Sequence, residues 1–326
     1  MRSGGGALRV VVWVLAAVVG GALVALAVPV ASGVYPVAQV VSFRAVLGVG
    51  AAVAVTLLVA VPWSRRRLLP LTLAFALGAA AQAAVLVVRS YPQEAATPGP
   101  RDEVVVLSFN TLDTVGAEVL ADLVLEQGAD VVVLPETSAH VARSTAERLG
   151  AAGRPMQVLS ADGNTSFIAG TALLVSPDVG TYPVAQPLPT RLGSLRTEPV
   201  EPLGSPVLVA AHPVAPGNRI SMPTWRTETR LIADECSTTP GAIVAGDLNA
   251  TLDHPGLQDL GPCVDAARAA GAASSGTWPA DVPTVFAAPI DHVLVDARAW
   301  RVTGFEVLPP TGASDHRPIV ATLARR

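Results

Sequence analysis

Ala242-Ile243-Val244-Ala245-Gly246-Asp247-Leu248-Asn249-Ala250-Thr251 sets a carboxylate and a carboxamide two residues apart, directly after an apolar run. Such a run reads as a strand, and residues i and i+2 of an extended chain share a face. Asp247 and Asn249 therefore point the same way at a strand end, where a metal and an attacking water can be held. Alone, Asp-x-Asn is also a common turn signal. At the far end of the chain Ser314-Asp315-His316-Arg317-Pro318 adds a carboxylate beside an imidazole. The two motifs together point to metal-assisted phosphate ester chemistry.

Five more polar residues stand at or beside apolar runs. Asn110 ends Leu107-Ser108-Phe109-Asn110, Glu136 ends Val132-Val133-Leu134-Pro135-Glu136, and His212 follows Val209-Ala210-Ala211. Asp291 and His292 lie in Ile290-Asp291-His292-Val293-Leu294. In this order the motifs resemble the endonuclease/exonuclease/phosphatase superfamily, which includes deoxyribonuclease-I-like nucleases, abasic-site nucleases, neutral sphingomyelinases and inositol-polyphosphate 5-phosphatases. The resemblance covers residues 103–326 and not the first 90. It implies an α/β (α+β) fold: a β-sandwich of two mixed sheets packed face to face, with helices outside, in four layers α/β/β/α. Apolar strands interleaved with a few helices fit that architecture.

Phosphate esters repel nucleophiles, so hydrolysis needs a cation on the nonbridging oxygens, an activated water in line and help for the leaving oxygen. Glu136 is the strongest metal-ligand candidate, because an unpaired charge at a buried strand end is costly; the alternative is a cap for a helix starting at Thr137. The resemblance places Asn110 beside the metal and makes Asp315 the other metal-side carboxylate. Asp247 and Asn249 position the water and a phosphate oxygen, with Asp247 the candidate base or second metal contact. His316 is placed to bond the phosphate, and Asp291 is the carboxylate that keeps it charged. By the resemblance, His212 contacts the phosphate or protonates the leaving oxygen. The expected cofactor is Mg²⁺, with Mn²⁺ possible.

Other residues read more plainly. His254 reads as loop surface, His292 as a strand residue facing the other sheet, and His140 as surface. Trp225, Arg226, Arg191 and Arg196 could touch a head group or base, or serve packing and solvation. Trp278, in a segment that resembles one in the family, lines the cleft. The Pro-rich stretch 183–206 reads as surface loop.

Residues 1–90 contain no Asp or Glu. Apolar stretches at 8–29, 37–63 and 68–88 each approach the ~20 residues that cross a bilayer core, so three transmembrane helices are expected. The first could instead be a cleaved signal peptide, with Ala25-Leu26-Ala27 as the cleavage region. Arg44, near the start of the second stretch, would snorkel to the interface. Arg65-Arg66-Arg67 between the second and third stretches stays cytoplasmic by the positive-inside rule, so residues 90–326 are expected on the outer side. The expected organisation is a membrane anchor over 1–90, a linker over 91–102 and a catalytic domain over 103–326.

The two cysteines, Cys236 and Cys263, both fall in that outer domain, where they can pair. Seven of the 22 basic residues lie in the first 90, so the remainder sets 15 against all 26 acids, a net charge of −11. A domain this acidic lacks the basic footprint of a tight duplex binder. The expected partners are a phosphoester substrate (lipid, small molecule or nucleic acid) and the membrane; no protein partner is evident. A binding or sensor module that holds a phosphorylated ligand in the same cleft is the alternative to an enzyme.

Overall fold

The computed structural model describes residues 4–93, 103–165, 167–201 and 204–326. The chain divides into two compact units, Met1–Arg89 and Ser90–Arg326.

The first unit is helical: α1 (Gly4–Ala25), α2 (Val37–Val41), α3 (Arg44–Ala60), α4 (Pro62–Arg67) and α5 (Leu69–Arg89). α1 and α3 pack on α5, and small residues let them approach: a Cβ on Gly78 would lie 2.6 Å from the Leu23 side chain. Among the described residues only α5 is long and apolar enough to cross a membrane; Arg9–Ala25 and Arg44–Ala60 are apolar but shorter. The expectation of three full spans is therefore not met. The second stretch breaks at Ser42 and Phe43, between α2 and α3, and its end turns into the arginine-bearing α4. Arg44 has partners within the helical unit. It is buried and donates to the Leu26 carbonyl, just past α1, and to Gln82 Oε1, both at 2.8 Å.

In the second unit the strands are β1 (Glu103–Ser108), β2 (Val131–Leu134), β3 (Gln157–Ala161), β4 (Thr171–Val175), β5 (Gln186–Leu188), β6 (Ser194–Thr197), β7 (Leu208–Ala211), β8 (Ile243–Asp247), β9 (Cys263–Asp265), β10 (Asp291–Asp296), β11 (Trp300–Val307) and β12 (Ile319–Arg325). They form two six-stranded mixed sheets, ordered β11-β12-β1-β2-β4-β3 and β5-β6-β7-β8-β10-β9. Alternation builds two cores. Val106, Val131, Val133, Leu208, Ile243, Ala245 and Val293 meet between the sheets. Leu107, Val132 and Leu134 face the other way, onto α6 (Ala117–Gln127) and α7 (Ala139–Ala151). α8 (Met222–Thr238) covers the second sheet along β8 and β10, and α9 (Ala266–Ala270) follows β9. Two mixed sheets flanked by helices are thus the architecture expected above.

Two segments differ from expectation. Residues 183–206 are not merely loop: they supply β5 and the largely buried β6, with Pro187 on the edge strand where a missing N–H costs nothing. Most of the linker over 91–102 lies outside the described residues, but its start is docked, with Gln93 N donating to the Ala269 carbonyl and Arg268 to that of Tyr91.

Cys236, near the end of α8, is bonded to Cys263, the first residue of β9. Closing a loop with a sequence separation of 27 removes roughly 3–4 kcal/mol of unfolded-state entropy. Urea unfolding of the chain with and without reductant should show a loss of that order; coincident curves would deny the cross-link a stabilising role.

Candidate active site

Parallel pairing of β1 with β2 in one sheet, and of β7 with β8 in the other, puts four strand exits at one pole of the sandwich. Antiparallel β10 begins there, with Asp291 opposite Asp247. Asn110, Glu136, His212, Asp247, Asn249, Asp291 and His316 are all placed at this pole by the chain's topology.

The exits can converge because Gly246 lacks a side chain. It sits at φ +150°, and a Cβ there would overlap the Ala211 carbonyl oxygen. Gly246→Ala is expected to cost at least ~3 kcal/mol of stability through backbone displacement, measurable as a lowered unfolding midpoint; wild-type stability would mean the two strands are free to separate. Positive φ among described non-glycine residues is confined to this pole: Leu112, Asp113, Glu136 and Asn249, at φ 48–51°. Such strain persists only where surrounding contacts over-determine it. For Glu136 those are Thr111 Oγ1 at 2.7 Å and Asp113 N at 2.7 Å, both donating to its carbonyl.

Asn110 is the hub. Its Oδ1 accepts from Leu112 N, which turns Nδ2 toward Glu136 Oε1 at 3.0 Å and Asp247 Oδ2 at 3.1 Å. Its own carbonyl accepts from Ser314 Oγ at 2.6 Å, and Ser314 Oγ accepts from His316 N, so the terminal motif is bolted to β1. His316 Nδ1 lies 2.9 Å from Asp291 Oδ2, and Nε2 lies 3.7 Å from Asp247 Oδ2. Asn249 N donates to Asp247 Oδ1, and Asn249 Nδ2 donates to the Pro213 carbonyl. Trp278 Nε1 donates to Asp315 Oδ2 at 2.8 Å, which places Trp278 beside the site.

Three ionisations are displaced. Burial opposes charge on His316, but Asp291 and Asp247 outweigh it and lift the ring to about 10. Burial pushes Asp247 up to about 7, with Asp291 adding and His316 opposing. Burial, reinforced by His316, lowers His212 to about 3. At neutral pH His316 is thus an imidazolium and His212 a neutral ring. His212 lies 3.6 Å from Glu136 and 3.9 Å from Asp247, with the Leu192 backbone also beside its ring.

Asp291 Oδ1 and Asp315 Oδ1 are buried without a hydrogen-bond partner. Orphaned carboxylate oxygens suit a hard cation. Asp247, Asp291 and His316 bring ligand atoms within 4.8 Å of one another, a different grouping from the expected Asn110, Glu136 and Asp315. Because His316 holds its proton, it is the weakest ligand of that trio. Asn110 links the two, donating to Glu136 and to Asp247.

The sequence profile of the endonuclease/exonuclease/phosphatase family matches residues 107–316, from β1 to the terminal histidine. The chain belongs to this family. Solved structures share the family fold at low identity. An endonuclease/exonuclease/phosphatase protein from Beutenbergia cavernae is 19% identical with a TM-score of 0.53, over 69% of this chain and 72% of that one. TDP2 of D. rerio, complexed with a single-strand DNA product, is 15% identical with a TM-score of 0.55, over 68% and 99%. A mannosyl-6-phosphatase of Bacteroides thetaiotaomicron is 15% identical with a TM-score of 0.52, over 68% and 99%. No curated protein matches this sequence. Of these neighbours, one was solved with a single-strand DNA product and one is named a phosphatase.

Several residues fall elsewhere than expected. His254 is buried, not loop surface; its Nδ1 accepts from Thr251 N at 2.7 Å and its ring meets Trp225 edge-on at 4.9 Å. His292 does not face the other sheet. Val293 and Val295 do, so strand alternation turns His292 to the opposite face, where it pairs with Asp265. Trp225 is buried, and Arg196 bonds Glu235 and Glu198, so both serve structure. Arg191, Arg226 and His140 are exposed. The roles of Thr111 and Ser314 depend on contacts distant in sequence.

Proposed function

We propose that the protein is a divalent-metal-dependent phosphoester hydrolase acting by in-line attack of water. The observation that carries this reading is the bonded line Glu136–Asn110–Asp247 converging on the Asp291–His316 pair. Mg²⁺ or Mn²⁺ held by Glu136 and Asp315, with Asn110 alongside, would neutralise phosphoryl charge and polarise the ester. Asp247, poised near neutrality, takes the proton of the attacking water, and Asn249 helps orient that water and a phosphate oxygen. His316, charged and braced by Asp291, donates through Nε2 to a phosphate oxygen. His212, neutral, donates to another from inside the cleft. No covalent enzyme intermediate is needed.

The first unit we read as a membrane anchor. α5 supplies the crossing, with α1 and α3 packed beside it. Arg65–Arg67 precede α5 and stay inside, so Ser90 emerges outside, and the Cys236–Cys263 bond suits that compartment. A lipid or small phosphoester is favoured by the tether and by the domain's acidity. A hydrolysis screen of the detergent-solubilised full chain, with Mg²⁺ or Mn²⁺, over phospholipids, sugar and inositol phosphates, RNA and DNA tests the reading; turnover of none would reject it.

A further inference from the structure

Three buried rings pin three consecutive backbone positions just after the Asp247 motif. Trp225 Nε1 donates to the Asn249 carbonyl at 2.9 Å, His292 Nε2 reaches the Ala250 carbonyl at 2.8 Å, and His254 Nδ1 accepts from Thr251 N at 2.7 Å. The residue so held, Asn249, is in the left-handed region at φ +48°. Its backbone N–H fixes one oxygen of Asp247.

We propose that His292 is a positioning residue of this site: through the Ala250 carbonyl it holds the turn that aims Asn249 and Asp247. The inference rests on the hydrolase reading above. A carbonyl oxygen only accepts, so Nε2 must carry a hydrogen. The opposite nitrogen, Nδ1, is 2.7 Å from Asp265 Oδ2, a carboxylate acceptor, so it carries a hydrogen as well and the ring plane is fixed from both sides. Asp265 is itself held: its Oδ1 accepts from Arg268 N at the start of α9, and Cys263, two residues earlier, is bonded to Cys236 of α8. α8 also carries Trp225. One covalent link therefore joins the elements behind the first two clamps. A buried ion pair adds little net stability. What this pair supplies is a donor of fixed direction behind the catalytic turn.

Two polar substitutions separate this role from simple core filling. The Gln amide nitrogen falls where Nε2 stood and can still donate to Ala250, whereas Asn falls near Nδ1 and cannot. With the full chain, Mn²⁺ and bis(p-nitrophenyl) phosphate as probe, His292→Gln should keep kcat within about threefold of wild type. His292→Asn should lower it at least ~30-fold with KM within about twofold. Backbone amide exchange of residues 248–251 should speed up at least ~10-fold in His292→Asn and little in His292→Gln. If His292→Asn fails to fold, Trp225→Phe removes the adjacent clamp and should give the same exchange and kcat signature. Wild-type kcat in His292→Asn, equal losses in both His292 variants, or a loss confined to KM would overturn the proposal. Should wild type not turn over the probe, the hydrolase reading fails on that substrate, while the exchange comparison still decides whether His292 holds the turn.

Discussion

Asp247→Asn is expected to lower turnover by ~1000-fold or more, because it removes the buried carboxylate that touches both Asn110 and Asn249 and faces His316. The same residue should shape the pH profile. Asp247 must be ionised to accept a proton, and burial places that ionisation at about 7. His316 must be protonated to donate, and Asp291 and Asp247 hold its proton up to about 10. The wild-type rate should therefore rise through pH 7 and fall as pH approaches 10, in two steps that belong to the coupled pair. In Asp247→Asn the lower limb should vanish. A variant that retained the rising limb at comparable rate would show that another group takes the proton.

Glu136→Gln should cut turnover at least ~100-fold and raise the Mg²⁺ concentration for half activity, since an amide oxygen is a poorer ligand than a carboxylate. The fold should be little affected. Gln can still accept from Asn110 through its carbonyl, and the contacts that hold the strained backbone at position 136 come from Thr111 and Asp113, not from the side chain. A metal titration at fixed substrate separates the two effects. Reduced turnover with an unshifted metal requirement would move the cation away from Glu136, toward the Asp247–Asp291 grouping.

How much was legible in the sequence depends on where the information sits. Strand exits such as Val132–Glu136 and Ile243–Asp247 carry an unbroken apolar run and then one polar residue, so both element and site could be read locally. β5, β6 and β9 are only three or four residues long, too short for alternation to stand out, and Pro187 and Pro189 masked the first of them. His254 and His292 depart from expectation for a related reason. Their partners, Thr251 N and Trp225 for one, Asp265 and Ala250 for the other, are set by tertiary packing, and a lone histidine carries no sign of it. In the first unit, hydropathy alone ran the second stretch through Phe43, whereas the chain turns there and spends Arg44 on the Leu26 carbonyl and Gln82.

Chelation tests metal-assisted hydrolysis most directly. Purified full-length protein, stripped with EDTA, should release no product from the best substrate of the screen. Mg²⁺ or Mn²⁺ added back in the millimolar range should restore the wild-type rate and leave Glu136→Gln deficient at the same concentration. Hydrolysis that continues unchanged in EDTA would contradict the metal-dependent site built on Asn110, Glu136 and Asp315.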